Sequence, residues 1–148
     1  MNTLNRSSST QELVMDIERE QSFEITPFHN AIVFYEQGEF SLRLTKQQVD
    51  GEDVLVALLL NSDQFNEFKK LFNHLKSLSR AVQMRGEKID ESFQLGDGLV
   101  VSVNWRFSGM VDLRYFWKTS SGELKPTKRG ISYSAAAFEL LAGVLVDI

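Results

Sequence analysis

Two long stretches of this chain can be laid on each other, and that self-similarity limits the fold more than any other feature of the sequence. "GEFSLRLTKQQVDGEDVLVALLLNSDQFNEFKKL" runs alongside "GMVDLRYFWKTSSGELKPTKRGISYSAAAFELL". The alignment pairs Gly38 with Gly109, Leu42-Arg43 with Leu113-Arg114, Gly51-Glu52 with Gly122-Glu123, and Phe65 with Phe138. The loop after Glu52 is two residues shorter than its counterpart. A repeat of this length implies two copies of one supersecondary unit, neither able to bury its apolar face alone. The competing explanation is that two generic strand-and-helix units look alike by chance.

Each copy reads as strands followed by a helix. From Ala31, "AIVFY", "EFSLRLTKQQV" and "DVLVALLL" form three strands of a meander, separated by Gln37-Gly38 and by the tight-turn signal Asp50-Gly51. Next, "NSDQFNEFKKLFNHLKSLSRAVQM" sets Phe65, Phe68, Leu71, Phe72, Leu75, Leu78 and Val82 at three-and-four spacing, one apolar face of a helix. Asn61 with Gln64 three positions on is a capping signature, and Gly86 follows the end. A second β series, "FQLGDGLVVSVNW", "GMVDLRYFWKT" and "ELKPTKRGISYS", is broken at Gly96 to Gly98, Ser108-Gly109 and Ser120 to Gly122. Ser134 caps a last helix whose stripe is Phe138, Leu141, Val144 and Leu145. The expected fold class is α+β, a curved antiparallel β-meander followed by a helix, present twice. The expected organisation is a mobile polar and acidic arm over 1–24, a first repeat over 25–86 and a second over 87–148. Within the arm, Leu13 and Ile17 share one face of at most a short helical turn.

At 148 residues, 43% of them hydrophobic, the chain suits one compact domain or two small units sharing a core. With no cysteine it has no disulfide framework, thiolate nucleophile or Cys-based zinc site. His29 and His74 are the only imidazoles. Asp50, Glu52 and Asp53, with His29, are the best metal-binding candidates, but acids on a hairpin tip are ordinarily just solvated. His74 falls on the polar side of its helix. No Gly-rich phosphate loop or Ser/His/Asp order is present. We therefore expect no enzyme, catalytic residue, cofactor or metal. No apolar run reaches membrane-spanning length and the N-terminus lacks a signal-peptide core, so an intracellular location, in cytoplasm, nucleoid or nucleus, is expected.

The net charge of -4 conceals a segregation. Between Ser102 and Gly130, six basic residues (Arg106, Arg114, Lys118, Lys125, Lys128, Arg129) face only Asp112 and Glu123, a balance of +4. Residues 10–53 set Arg19, Arg43 and Lys46 against ten acids, a balance of -7.

The second half resembles a known family. "VDLRYFWKTSSGELKPTKRGIS", Val111 to Ser132, matches without a gap the positive cofactor four type of transcriptional coactivator, a single-stranded-DNA-binding module. The shared features are an apolar-Asp-apolar-Arg start, an aromatic-Trp pair, Gly-Glu, Lys-Pro, two further basic residues and Gly-Ile-Ser before the helix. The resemblance extends over Val101 to Leu141, with "VVSVNWRF" similar to the family's early strands. In the first half, "LLLNSDQFNEFKKL" is similar to its strand-to-helix junction. The resemblance implies a curved four-stranded antiparallel sheet with one helix, paired so that two sheets form a groove. Two halves of one chain forming that pair would be an intramolecular pseudo-dimer; a homodimer of whole chains is the alternative.

Single-stranded DNA offers phosphates that attract Lys and Arg, and base faces that stack on flat side chains. Residues 105–129 provide for both. Trp105, Phe107, Phe116 and Trp117 are candidate platforms; Arg106, Arg114, Lys118, Lys125, Lys128 and Arg129 are candidate phosphate contacts. Of the adjacent pair, Trp117 is expected to face the ligand and Phe116 to be core. Trp105 and Phe107 are expected to share one strand face, with neither preferred. Pro126 is expected to stiffen a basic loop beside the aromatic strand. Arg114 and Trp117 are three apart and would face opposite ways on an unbroken strand, so a bulge must re-aim one if both contact DNA. In the first copy Lys46 stands in the place of Trp117 and Asp50, Glu52 and Asp53 surround the turn, so that copy is expected to be structural. The expected partners are single-stranded DNA, RNA or melted duplex, with transcription or replication proteins reached through the acidic N-terminal part. RNA is allowed because every base has a stacking face, and the contrasting expectation is a protein-interaction module on a degenerate nucleic-acid-binding fold.

Overall fold

The computed structural model describes residues 19–47 and 55–148. Strands β1 (Arg19–Thr26), β2 (His29–Glu36), β3 (Glu39–Gln47) and β4 (Leu55–Leu60) form one antiparallel meander, followed by helix α1 (Ser62–Arg85). Strands β5 (Asp90–Gly96), β6 (Leu99–Asn104), β7 (Val111–Lys118) and β8 (Leu124–Tyr133) form a second meander, followed by helix α2 (Ala135–Leu145). The class is mixed α+β, and the meander-plus-helix unit occurs twice. The Asp50-Gly51 turn, the acids at 50, 52 and 53, and the Leu13–Ile17 turn lie outside the described residues.

Alternation builds the core side of each sheet. Phe23, Ala31, Leu44 and Leu58 lie in one cross-strand row of the first sheet, and Phe93, Val101, Leu113 and Ile131 in one row of the second. The first strand starts earlier than Ala31: the end of the stretch 1–24 expected as a mobile polar and acidic arm is strand, since β1 pairs with β2 from Arg19 onward. The reason is compositional: β1 is an edge strand in which only Ile25 is buried and Phe23 partly so, too few apolar residues to betray alternation.

Helix α1 follows its apolar spacing, burying Phe65, Phe68, Phe72, Leu75 and Leu78, and its ends are closed as expected. The Asn61 side chain accepts from the Gln64 N–H while the Gln64 side chain accepts from the Asn61 N–H, each at 2.9 Å, and Gly86 ends the helix. Ser134 caps α2 through the Ala137 N–H.

The two units are held by one core. Helix α1 packs against both sheets and against α2, and α2 reaches back to β1. Phe138 of α2 lies 6.1 Å from Phe68 and 5.8 Å from Phe72. The Gln64 amide donates to the Gly96 carbonyl at 2.9 Å, and buried Ser79 donates to the Gly109 carbonyl at 2.6 Å. Exposed His74, as its helix position implied, meets Glu91 at 3.2 Å and the edge of Phe93. The last strands β4 and β8 lie side by side. At the start of β2 the His29 ring sits 4.8 Å from buried Tyr133 of β8, with Nε2 donating to the Ser132 carbonyl at 3.2 Å and Nδ1 facing the Thr26 hydroxyl at 2.8 Å. Burial, together with the nearby Lys46 charge, pushes the His29 pKa down against the opposing Ser132 hydrogen bond. Burial likewise raises Tyr133 well above the ordinary tyrosine range.

Candidate nucleic-acid interface

The β7–β8 hairpin gathers most of the residues singled out from the sequence. Lys118 pairs with Leu124, Trp117 with Lys125 and Phe116 with Pro126, and the connecting turn is closed by the Thr119 N–H donating to Glu123 O at 2.8 Å. Residues 124–130 are part of β8, as the β segment "ELKPTKRGISYS" implied, and the basic loop expected around Pro126 is strand. Pro126 is tolerated there because β8 is the last strand of its sheet and a missing donor at an edge costs little.

The register then slips. Arg114 pairs with Gly130 and Phe116 with Pro126, so Tyr115 stands opposite Thr127, Lys128 and Arg129. The irregularity that strand parity called for exists, but it lies in β8. Strand β7 keeps its alternation on the β6 side, with Val101 opposite Leu113 and Leu99 opposite Tyr115, and the Phe116 N–H donates to Gly98 O at 2.7 Å. Arg114 and Trp117 thus point to opposite sides of the hairpin, and Trp117 shares its side with its partner Lys125. Trp117 is 54% exposed and Phe116 half-buried, so the expectation that Phe116 is core is not met. Neither aromatic is sealed.

Around the slip a polar network sets the backbone. The Arg114 guanidinium donates from Nε to Asp112 Oδ2 at 3.1 Å and from Nη2 to Asp112 Oδ1 at 3.0 Å, the two-pronged geometry that suits a planar cation and a carboxylate. Its Nη1 donates to the Thr127 carbonyl at 2.9 Å. Ser132 Oγ donates to Asp112 Oδ1 at 2.6 Å. The Thr127 hydroxyl donates to the Tyr115 carbonyl at 2.8 Å and accepts from the Arg129 N–H at 3.1 Å. Gly130 is required by this packing, since a Cβ there would lie 2.5 Å from Arg114 Cζ.

The other cations of the hairpin are free of carboxylates among the described residues, whereas Arg106, outside it, lies 3.7 Å from Asp90. Among the described residues Lys118, Lys125, Lys128 and Arg129 form no ion pair, and all four are exposed. Arg129 lies over the Tyr115 ring at 4.7 Å, and the Tyr115 hydroxyl donates to Leu59 O of the first sheet at 3.0 Å.

Trp105, Arg106 and Phe107 are elsewhere. They form a 3-10 turn between β6 and β7, not a strand, so Trp105 and Phe107 do not share a sheet face. Asn104 caps this turn by accepting from the Arg106 N–H. It stands at the opposite end of β7 from Trp117, about 20 Å away at 3.3 Å per strand residue. Phe107 is 72% exposed; half-buried Trp105 lies between the cations of Lys88 and Arg106, at 5.2 and 4.8 Å.

In the sequence Asp112 reads only as an acid within the basic stretch and a motif letter, and nothing singles out Tyr115, Thr127 or Ser132. One signal was available: Asp112 and Arg114 are two apart, hence neighbours on one strand face. Among the described residues the first sheet lacks the whole device. Ser41 stands where Asp112 would, Arg43 faces Leu59 where Arg114 faces Gly130, and the β3–β4 register is unbroken from Leu42 to Gln47. Among the described residues there is no cluster of His and acidic side chains able to hold a metal, and no helix long and apolar enough to cross a membrane.

No solved structure matches this chain. Residues 93–143, from the middle of β5 into α2, match the family described as Transcriptional Coactivator p15 (PC4). The match takes in the whole β7–β8 hairpin and its bulge, about a third of the chain and all of it within the second repeat.

Proposed function

We propose that this protein binds single-stranded DNA, largely without regard to sequence, through the β7–β8 hairpin, in a transcriptional coactivator type of role. The observation that carries this is the pairing of exposed Trp117 with Lys125 beside a bulge that presents Lys128 and Arg129 without carboxylate partners. An aromatic face for a base and adjacent uncommitted cations for phosphates are the two parts sequence-independent binding needs. The family match over residues 93–143 supports the same reading. The core shared by the two units supports a pseudo-dimer within one chain, in which the first repeat completes the scaffold and its acidic surface is left for protein contacts. Trp105, Arg106 and Phe107 form a second contact region, reached only by a strand that runs the length of the sheet.

The test is fluorescence anisotropy of a labelled single-stranded DNA of about twenty nucleotides, longer than the roughly 4–16 nucleotides that one OB fold, a different single-strand-binding module, occupies. Matched duplex and RNA serve as competitors. Stacking is worth about 1–3 kcal/mol per base, so Trp117→Ala weakens binding by about tenfold or more. Adding Lys125→Ala lowers the salt slope by about 0.7. Binding that neither change affects would remove the hairpin from the site, and preference for the RNA competitor would reassign the ligand.

A further inference from the structure

Asp112 looks like a liability in a surface meant for phosphates. Its contacts say otherwise. Its carboxylate takes three hydrogen bonds, two from Arg114 and one from Ser132, and Arg114 spends a third donor on the Thr127 carbonyl inside the bulge. Thr127 in turn holds the Arg129 N–H. The chain of contacts runs without a break from Asp112 to the backbone that carries Lys128 and Arg129.

The Asp112 and Arg114 side chains are 23% and 26% exposed, sheltered enough for their ion pair to fix geometry. The first repeat supplies an independent comparison within the same molecule. With Ser41 in place of the carboxylate and Leu59 in place of the glycine, its arginine has no strut among the described residues and its strand pair has no bulge from Leu42 to Gln47. We infer that Asp112 is a positioning residue for nucleic-acid binding: it locks Arg114 as a brace across Gly130, and the brace sets the bulge that aims Lys128 and Arg129. Arg114 is thereby a structural cation whose part in affinity is indirect. The inference rests on the hairpin being the binding surface.

Charge and positioning predict opposite signs, which makes the test sharp. Asp112→Asn removes one negative charge from the hairpin's surroundings, and so does Glu123→Gln at the exposed turn, where Glu123 has no side-chain partner among the described residues. If charge alone matters, both tighten single-stranded DNA binding. If Asp112 positions the bulge, Glu123→Gln leaves binding equal or slightly tighter, whereas Asp112→Asn weakens it about fivefold and lowers the salt slope by about 0.7 for each phosphate no longer neutralised. Amide hydrogen exchange over residues 127–130, measured on the free proteins, rises in Asp112→Asn and not in Glu123→Gln. Tighter or unchanged binding by Asp112→Asn, with unchanged exchange, overturns the inference. Should the wild type bind no single-stranded DNA, the functional reading falls, and the exchange comparison still decides whether Asp112 holds the bulge.

Discussion

At the scale of single residues, the same side-chain type takes different parts according to what lies across the strand. Arg114 and Arg129 are close in the fold, yet one is committed to Asp112 and Thr127 and the other is exposed over Tyr115. Tyr133 shows the converse, a polar atom placed where packing alone decides. Its ring is fully buried against His29, and its hydroxyl has no hydrogen-bond partner among the described residues. An unpaired buried hydroxyl costs about 1–3 kcal/mol. Tyr133→Phe, which keeps the ring, is therefore expected to raise unfolding free energy by up to about 1 kcal/mol in urea titrations, with relaxation absorbing the rest. A loss of stability would mean that the hydroxyl is bonded.

At the scale of elements, the joint between α1 and the turn after β6 is closely packed. Gly109 adopts φ +66°, in the left-handed region, and a Cβ there would collide with the Val82 side chain on α1. Ser79, one turn earlier on the same helix, donates to the Gly109 carbonyl. Backbone strain and steric overlap act together, so Gly109→Ala is expected to cost about 2–4 kcal/mol. Gly143, inside α2 with open space around it, is the control: Gly143→Ala is expected to be neutral or stabilising by about 0.5–1 kcal/mol. Thermal unfolding of the two variants gives the comparison, and equal melting temperatures would mean that α1 and the turn do not touch.

At the scale of the whole molecule, a titratable group on β2 of the first unit meets β8 of the second. In the neutral ring His29 donates from Nε2 to Ser132 of the other unit and accepts at Nδ1 from Thr26. Its folded pKa lies below the ordinary 6.5 because burial, helped by Lys46, disfavours the cation. As pH falls through 6.5 the unfolded chain takes the proton first, so stability declines from there toward the lower folded pKa and levels off below it. Urea unfolding of wild type and His29→Gln between pH 8 and pH 5 is expected to show a steeper acid-side decline in the wild type, the difference being this group's share. Parallel curves would place His29 outside the linkage.

The sequence by itself determined the elements whose signals are local. The seven-residue apolar face of α1, the Asn61–Gln64 cap, the Ser134 cap and the turns at Gln37-Gly38 and Gly96–Gly98 depend on neighbours within a few positions, and all are where the spacing put them. The strand-strand-strand-helix order and the basic segment with Trp117 were legible for the same reason. Only the tertiary structure decided the rest. The edge strand β1 is polar in sequence and exists because β2 offers it a ladder. Trp105 and Phe107 left the strand because Asn104 caps a 3-10 turn, parting them from Trp117 by the length of β7. The bulge in β8 depends on a register between strands, and the part played by Asp112 depends on where that register brings Arg114 and Thr127. Register and side-chain partnership are relations between segments distant along the chain, fixed only when both units close around one core.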